Sequence, residues 1–277
     1  MTQKTFEDVK HGHPLIQHIQ KRLYKLDKNW LAMITGPTGG GKSWSALSIA
    51  EKIDPDFNVD KVVLDPVEFM QNLAKKEWGQ GDVVIFDEAG AGMSAKEHMT
   101  KKNRVIDQIL QTFRRQNIAV IFTVPSKANV DKSVRRLLHT YIETKNIDYI
   151  NERNHLKWLK MDYNRKIDKI YYHYPKVQQD NGSTRKVKTV KMGKPSENLI
   201  EAYEEKRDKF QERKNQQLYE EIVDSIEDRD EKKDRGSKKE KIKKELKDNP
   251  DKGTKQLAEE YNTDMAYVSQ IKSEIEA

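Results

Sequence analysis

Hydrophobic positions in this chain gather into short runs before residue 145 and thin out after it. A helical spacing comes first, with Leu15, Ile16, Ile19, Leu23 and Leu26 on one stripe. Four compact apolar runs follow, at residues 31–35, 62–64, 83–86 and 119–123. They are short and rich in β-branched residues, which reads as parallel strands buried on both faces. Segments of helical character separate or follow them, at residues 42–52, 66–76, 95–115 and 131–139. The alternation predicts an α/β fold of three layers, with helices on both sides of a parallel core sheet.

Beyond residue 140 the pattern changes. Residues 141–143, 156–161 and 170–174 alternate and carry aromatics, which predicts an antiparallel β extension. Residues 175–195 read as loop. Residues 199–226 spell a strongly charged helix, and residues 227–239 (EDRDEKKDRGSKK) read as a flexible linker. The tail then predicts a small all-α unit. One helix ends in a turn at Asn262, which tolerates a left-handed backbone, and a second begins at Met265. Ala258 is small enough for two helices to cross, while Leu257, Tyr261, Val268 and Ile271 face inward. This resembles a helix-turn-helix, whose second helix would present Asp264, Ala266, Tyr267, Gln270 and Lys272 to a DNA major groove. The same pattern also suits a three-helix bundle that binds protein. The expected domains are a nucleotide-binding core over 1–145, the β extension over 146–195, a charged helix and linker over 196–237, and a helix-turn-helix domain over 238–277.

Composition narrows the classes. Of the 277 residues only 35% are hydrophobic and another 35% are charged, so the core is concentrated in part of the chain. The absence of cysteine excludes disulfides, thiol catalysis and Cys-type zinc sites. No apolar run approaches the ~18 residues of a membrane helix. The segment MTQKTFEDVKHGHP lacks the apolar stretch of a signal peptide. The expectation is a soluble cytoplasmic protein with no membrane partner. The net charge of +7 permits an anionic partner. Residues 154–194 are more basic, with eleven Lys and Arg against three Asp, interleaved with Trp158, Tyr163, Tyr171, Tyr172 and Tyr174. Such a mixture suits phosphate contact and base stacking, and equally the ordinary preference of aromatics for strands. Residues 238–277 balance nine Lys against nine acids.

The chemistry is carried by two motifs. Gly36, Pro37, Thr38, Gly39, Gly40, Gly41, Lys42 and Ser43 match G-x-x-x-x-G-K-[ST] at every fixed position, between a predicted strand and a predicted helix. Such a Walker A loop curls so that its amides point at phosphate oxygens, and the helix N-terminus adds partial positive charge. Lys42 would reach the β- and γ-phosphates, and Ser43 would bind Mg²⁺. Trp44, opening the helix, joins the expected nucleotide contacts. The run Val83-Val84-Ile85-Phe86 ends in Asp87 and Glu88, as a Walker B strand does. An acid there is expected beside the phosphate loop of the adjacent strand. Asp87 would hold the Mg²⁺ shell and Glu88 would activate the attacking water. Thr123 ends the next strand, as a γ-phosphate sensor or as a plain strand end. Arg114, Arg115, Arg135 and Arg136 are candidates for an arginine supplied to a neighbouring subunit, with Arg115 and Arg135 the leading pair. Nothing selects guanine: in Thr144-Lys145-Asn146-Ile147-Asp148 the Lys precedes the Asn, the reverse of N-K-x-D. The expected cofactors are ATP and Mg²⁺.

The run FDEAGAGMSAKEH…LQTFRRQNIAVIFTVPSKANVDKSVRRLLHTYIE resembles the HerA/FtsK-type P-loop ATPases, and more closely their Zot-like and archaeal viral or plasmid members. Asp87-Glu88, Arg114 and Arg115 with Asn117-Ile118, and Thr123 carry the resemblance, which spans residues 30–145. It implies a homo-oligomer, as hexameric rings, that moves double-stranded DNA inside a bacterial or archaeal cell on behalf of a virus or plasmid. Two features depart from that pattern. Such enzymes usually end the sensor strand in glutamine, where this chain has Thr123, and Zot-like extrusion proteins usually carry a membrane helix. The expected function is an ATP-hydrolysing motor that translocates or packages DNA. The alternatives are a non-motor, ATP-dependent DNA-binding switch, such as a regulator or a partition or replication protein, and a virion assembly ATPase whose tail binds protein.

Overall fold

The computed structural model describes residues 7, 11–65, 68–69, 71–72, 78–87, 117–178 and 182–276. The helix expected over 95–115 lies outside these residues, and so do Glu88, Arg114 and Arg115.

Five parallel strands form one side of the sheet, out to its β2 edge: β1 (Trp30–Thr35), β2 (Val62–Val63), β3 (Val83–Phe86), β4 (Ala119–Val124) and β5 (Thr140–Asp148). Their order is β2-β3-β4-β1-β5. Period-two geometry divides their side chains between two cores. Trp30, Ala32, Ile34, Val83, Ile85, Ala119 and Ile121 enter one cluster. Leu31, Met33, Val84, Phe86, Val120 and Phe122 enter the other. The first is covered by α1 (Pro14–Gln20), by α2 (Lys42–Ile53) and by the first turns of α4 (Glu197–Asp248). The second is covered by Phe69, Trp78, Leu138 and Val134, the last on α3 (Lys132–Arg135). The result is the mixed α/β fold, helices on both faces, that alternating runs and helical segments predict.

The sheet continues past its parallel part. β6 (Arg153–Asn164) runs antiparallel to β5. Its other edge is shared: β10 (Thr189–Gly193) pairs with residues 153–157 and β7 (Lys169–His173) with residues 160–164. β8 (Lys176–Gln178) and β9 (Thr184–Lys186) form a separate two-stranded ladder.

Three expectations change. The segment 141–143, assigned to the antiparallel extension, belongs to β5, the fifth parallel strand. Trp30 on β1 donates its indole N–H to Thr140 (2.9 Å), a buried polar pairing that the apolar pattern does not register. Residues 175–195 hold three short strands instead of a loop. β10 is positioned by backbone pairing along β6, and side-chain periodicity carries no record of that. Finally, α4 is helical across residues 227–239, where a linker is expected. Lys, Arg and Glu are strong helix formers, and a run of mixed sign escapes the repulsion of a like-charge block.

Contacts divide the chain into Met1–Asp208 and Lys209–Ala277. Boundaries at 145, 195 and 237 therefore do not coincide with compact units: β5 runs through residue 145, and α4 through residue 237. The second unit contains α5 (Thr254–Glu260) and α6 (Met265–Glu276). Ile242, Leu246, Leu257, Ala258, Val268 and Ile271 form its core, with Tyr261 and Tyr267 packed against it. Asn262 takes the left-handed conformation, φ +45°, at the turn.

Lys61 forms a largely buried ion-pair cluster in the first unit. Its ammonium bonds Asp54 (2.7 Å) and Asp82 (2.8 Å), and Asp54 also accepts the Val83 amide (3.1 Å). This ties the end of α2 to the start of β3. Lys61→Met leaves the Asp54 carboxylate, 3% exposed, without its counter-charge. The expected loss is about 3–5 kcal/mol, read as a lower urea midpoint at unchanged slope. An unchanged midpoint refutes this account of the ion pair.

Candidate nucleotide-binding site

The loop 36–43 leaves the central strand β1 and opens into α2. Gly41 caps the helix with φ +75°, ψ 23°, a left-handed geometry that favours glycine. A Cβ there would lie 2.5 Å from Asn154 Nδ2, and one on Gly36 would lie 1.9 Å from Thr144 Oγ1. The loop thus passes too close to β5 and β6 for side chains at these points. Asn154, on β6, donates to the carbonyls of Gly40 and Gly41 (3.2 Å each) and to Ser45 Oγ (2.9 Å). Ser45 donates in turn to the Gly41 carbonyl (2.7 Å). Lys42 folds back along the loop and donates to the Pro37 carbonyl (2.8 Å).

Thr38, Gly39, Gly41, Lys42, Ser43 and Trp44 line a cavity of about 700 Å³. Its remaining walls include the β5–β6 turn (Tyr149, Glu152) with the flanking strand residues Ile147 and Arg153, Pro125, the end of β10 with Lys194, and Tyr203, Glu204 and Arg207 on α4. Gly36, Pro37 and Gly40 shape the loop from behind.

Asp87 follows β3 and is fully buried. Its amide donates to the Val63 carbonyl (2.9 Å). Among the described residues three hydroxyls converge on its carboxylate. Ser43 Oγ reaches both oxygens (3.0 and 3.1 Å), Thr123 donates to Oδ1, and Tyr203 donates to Oδ2. Burial first, and then the Asp87 charge, push the Tyr203 phenol far above its ordinary value, so it stays a protonated donor. Thr123 sits on β4, which lies between β1 and β3. Asp87 is therefore one strand further from the phosphate loop than expected, and the first turn of α2 brings Ser43 across to it.

The donor set suits Mg²⁺. Ser43 and Asp87 offer hard oxygens to an ion that usually takes most of its ligands from water and phosphate. Among the described residues no group of three or more His, Cys, Asp or Glu is placed to hold another metal ion. The uncapped start of α2 and the amides of the loop suit phosphate.

The sequence-predicted arginines divide. Arg114 and Arg115 lie outside the described residues, as does Glu88. Arg135 and Arg136 stand away from the cavity: Arg136 bonds Asp168 (2.6 Å) and lies over the Tyr163 ring, and Arg135 acts electrostatically on Tyr172. Sequence reasoning missed Thr144, Asn154, Tyr203 and Arg207. The stripe Leu199, Ile200 and Tyr203 signals that α4 packs against the sheet, but nothing local signals where the Tyr203 hydroxyl goes.

The family model for zonular occludens toxin (Zot) matches residues 52–195, just over half of the chain. The chain belongs to the Zot family. The match takes in Asp87, Thr123, Thr144 and Asn154, begins after the phosphate loop and ends before Tyr203. Two solved structures are similar to this Zot-family chain. The N-terminal domain of zonular occludens toxin from Neisseria meningitidis is 18% identical, with a TM-score of 0.33 over 53% of this chain and 94% of that one. B204, the DNA-packaging ATPase from Sulfolobus Turreted Icosahedral Virus, is 18% identical, with a TM-score of 0.30 over 52% of this chain and 97% of that one. No curated protein matches. No helix among the described residues of this Zot-family chain is long and apolar enough to cross a membrane.

Removing the Tyr203 hydroxyl takes one donor from a buried carboxylate. Tyr203→Phe is expected to cost about 1.5–3 kcal/mol without nucleotide. A metal-bound water can replace the lost donor, so the thermal shift on adding MgATP is expected to be larger than in the parent protein. Equal melting temperatures without nucleotide refute the bond's contribution.

Proposed function

We propose that this chain binds MgATP at the 36–43 loop, hydrolyses it, and uses the energy to move DNA. The observation that carries the proposal is the Ser43–Asp87 contact at 3.0 Å, because it joins a phosphate loop and a buried acid into one metal-holding pair. Lys42 neutralises phosphate charge, Asp87 and Ser43 hold Mg²⁺, and Thr123 aligns Asp87 from the intervening strand. Mg²⁺ supplies charge neutralisation for the β- and γ-phosphates. Glu88, next in sequence to Asp87, is the proposed base for the attacking water.

DNA handling is supported by charge and shape. Lys169, Tyr171 and His173 are exposed together on β7, and the Tyr171 and His173 rings stack at 6.2 Å with Lys169 over Tyr171. Such a surface suits backbone contact and stacking. The α5–turn–α6 unit is the proposed second DNA contact, as a helix-turn-helix. Assembly into a homo-oligomeric ring, with Arg115 or Arg135 reaching a neighbour's site, is the proposed working state, as the resemblance to HerA/FtsK-type motors implies.

The test is ATPase activity with and without duplex DNA. Hydrolysis is expected to rise with DNA, and Lys42→Ala and Glu88→Gln are each expected to abolish it. Hydrolysis indifferent to DNA refutes the motor and leaves an ATPase. DNA affinity that changes with nucleotide, without displacement of roadblocks, identifies the switch instead.

A further inference from the structure

The cavity beside the phosphate loop is lined by more than phosphate-binding groups. Trp44, Ile147, Tyr149 and Met192 add an apolar lining that a triphosphate does not need. We infer that this lining is a base pocket, with the Trp44 indole as the surface on which the nucleotide's aromatic base stacks. The inference rests on the nucleotide-binding reading and names a specificity residue within it.

Three observations carry it. The chain has four tryptophans. Trp30 and Trp158 are fully buried and Trp78 is 9% exposed, whereas Trp44 is 41% exposed beside the loop. An indole left open to water inside a cavity gains by being covered, and a planar base is the natural cover. Second, a cation lies over the ring. Lys194 Nζ stands 5.9 Å from its centroid, and Lys194 is itself bonded to Glu197 (2.6 Å) and Glu152 (3.5 Å). Third, Trp44 directly follows Ser43 and lines the same cavity, so a base is within reach of its ring when the phosphates lie on the loop. The exposed Tyr149, at the β5–β6 turn, lines that cavity too.

The experiment compares MgATP with magnesium tripolyphosphate, which has the phosphates and no base, by calorimetry on the full chain. Trp44→Ala is expected to weaken ATP by roughly ten-fold or more, the scale of a lost base–aromatic stack, while tripolyphosphate affinity stays within about two-fold. Trp44→Phe is expected to keep most of the ATP affinity. ATP, but not tripolyphosphate, is expected to change the tryptophan fluorescence of the parent protein, and this change is absent in Trp44→Ala. Equal losses for both ligands overturn the inference, because Trp44 then only shapes the loop. So does a parent protein that binds tripolyphosphate as tightly as ATP. A parent protein that binds neither ligand overturns the nucleotide-binding reading itself, and the base pocket with it.

Discussion

Asp87 is a carboxylate without access to water, held by hydroxyls from three distant parts of the chain. A bare ionised carboxylate in such a place is untenable, and each hydrogen bond to it contributes about 1.5–3 kcal/mol. Ser43 comes from the first turn of α2, Thr123 from β4 and Tyr203 from α4. Satisfying this one charge therefore fixes the helix after the phosphate loop, the strand between β1 and β3, and the first turns of α4 against one another. Lys206, one turn beyond Tyr203, adds to the hold by donating to the Val62 carbonyl (2.6 Å) and pairing with Glu68 (2.9 Å).

The phosphate loop depends on the opposite side of the sheet. β1 is flanked by β4 and β5, and the loop rises between them. Thr144 on β5 fills the space beside Gly36, and Asn154 on β6 grips the carbonyls at the other end. The antiparallel strands are thus part of the same machine as the parallel ones. The β5–β6 turn and the end of β10 also wall the cavity, so a single sheet supplies both the floor and one side of the site. This explains why residues 1–208 form one compact unit instead of a core with an appended extension.

Much of this was legible in the chain itself. The strands β1, β3 and β4 could be placed to within a residue because each buries both faces, and an unbroken apolar run is the direct trace of that burial. The 36–43 loop and Asp87 were legible as candidates because phosphate and metal binding restrict residue type at fixed spacing, and the fold brings Ser43 against Asp87. Asn262 was readable for a similar reason, since few residues tolerate its backbone conformation.

The partners of those residues were not legible. Strand order is set by crossover connections and backbone pairing, so no local pattern records that β4 stands between β1 and β3, or that β10 pairs with β6. Thr144, Asn154 and Tyr203 look like ordinary strand and helix residues; their roles arise from being brought 108 to 116 positions back along the chain to the loop and Asp87. Sequence by itself determined the candidate phosphate and metal ligands, because candidacy is a property of side-chain chemistry and short-range spacing. Only the tertiary structure decided what surrounds them, because a buried charge and a close-packed loop are satisfied by whatever the fold delivers, from any distance in sequence.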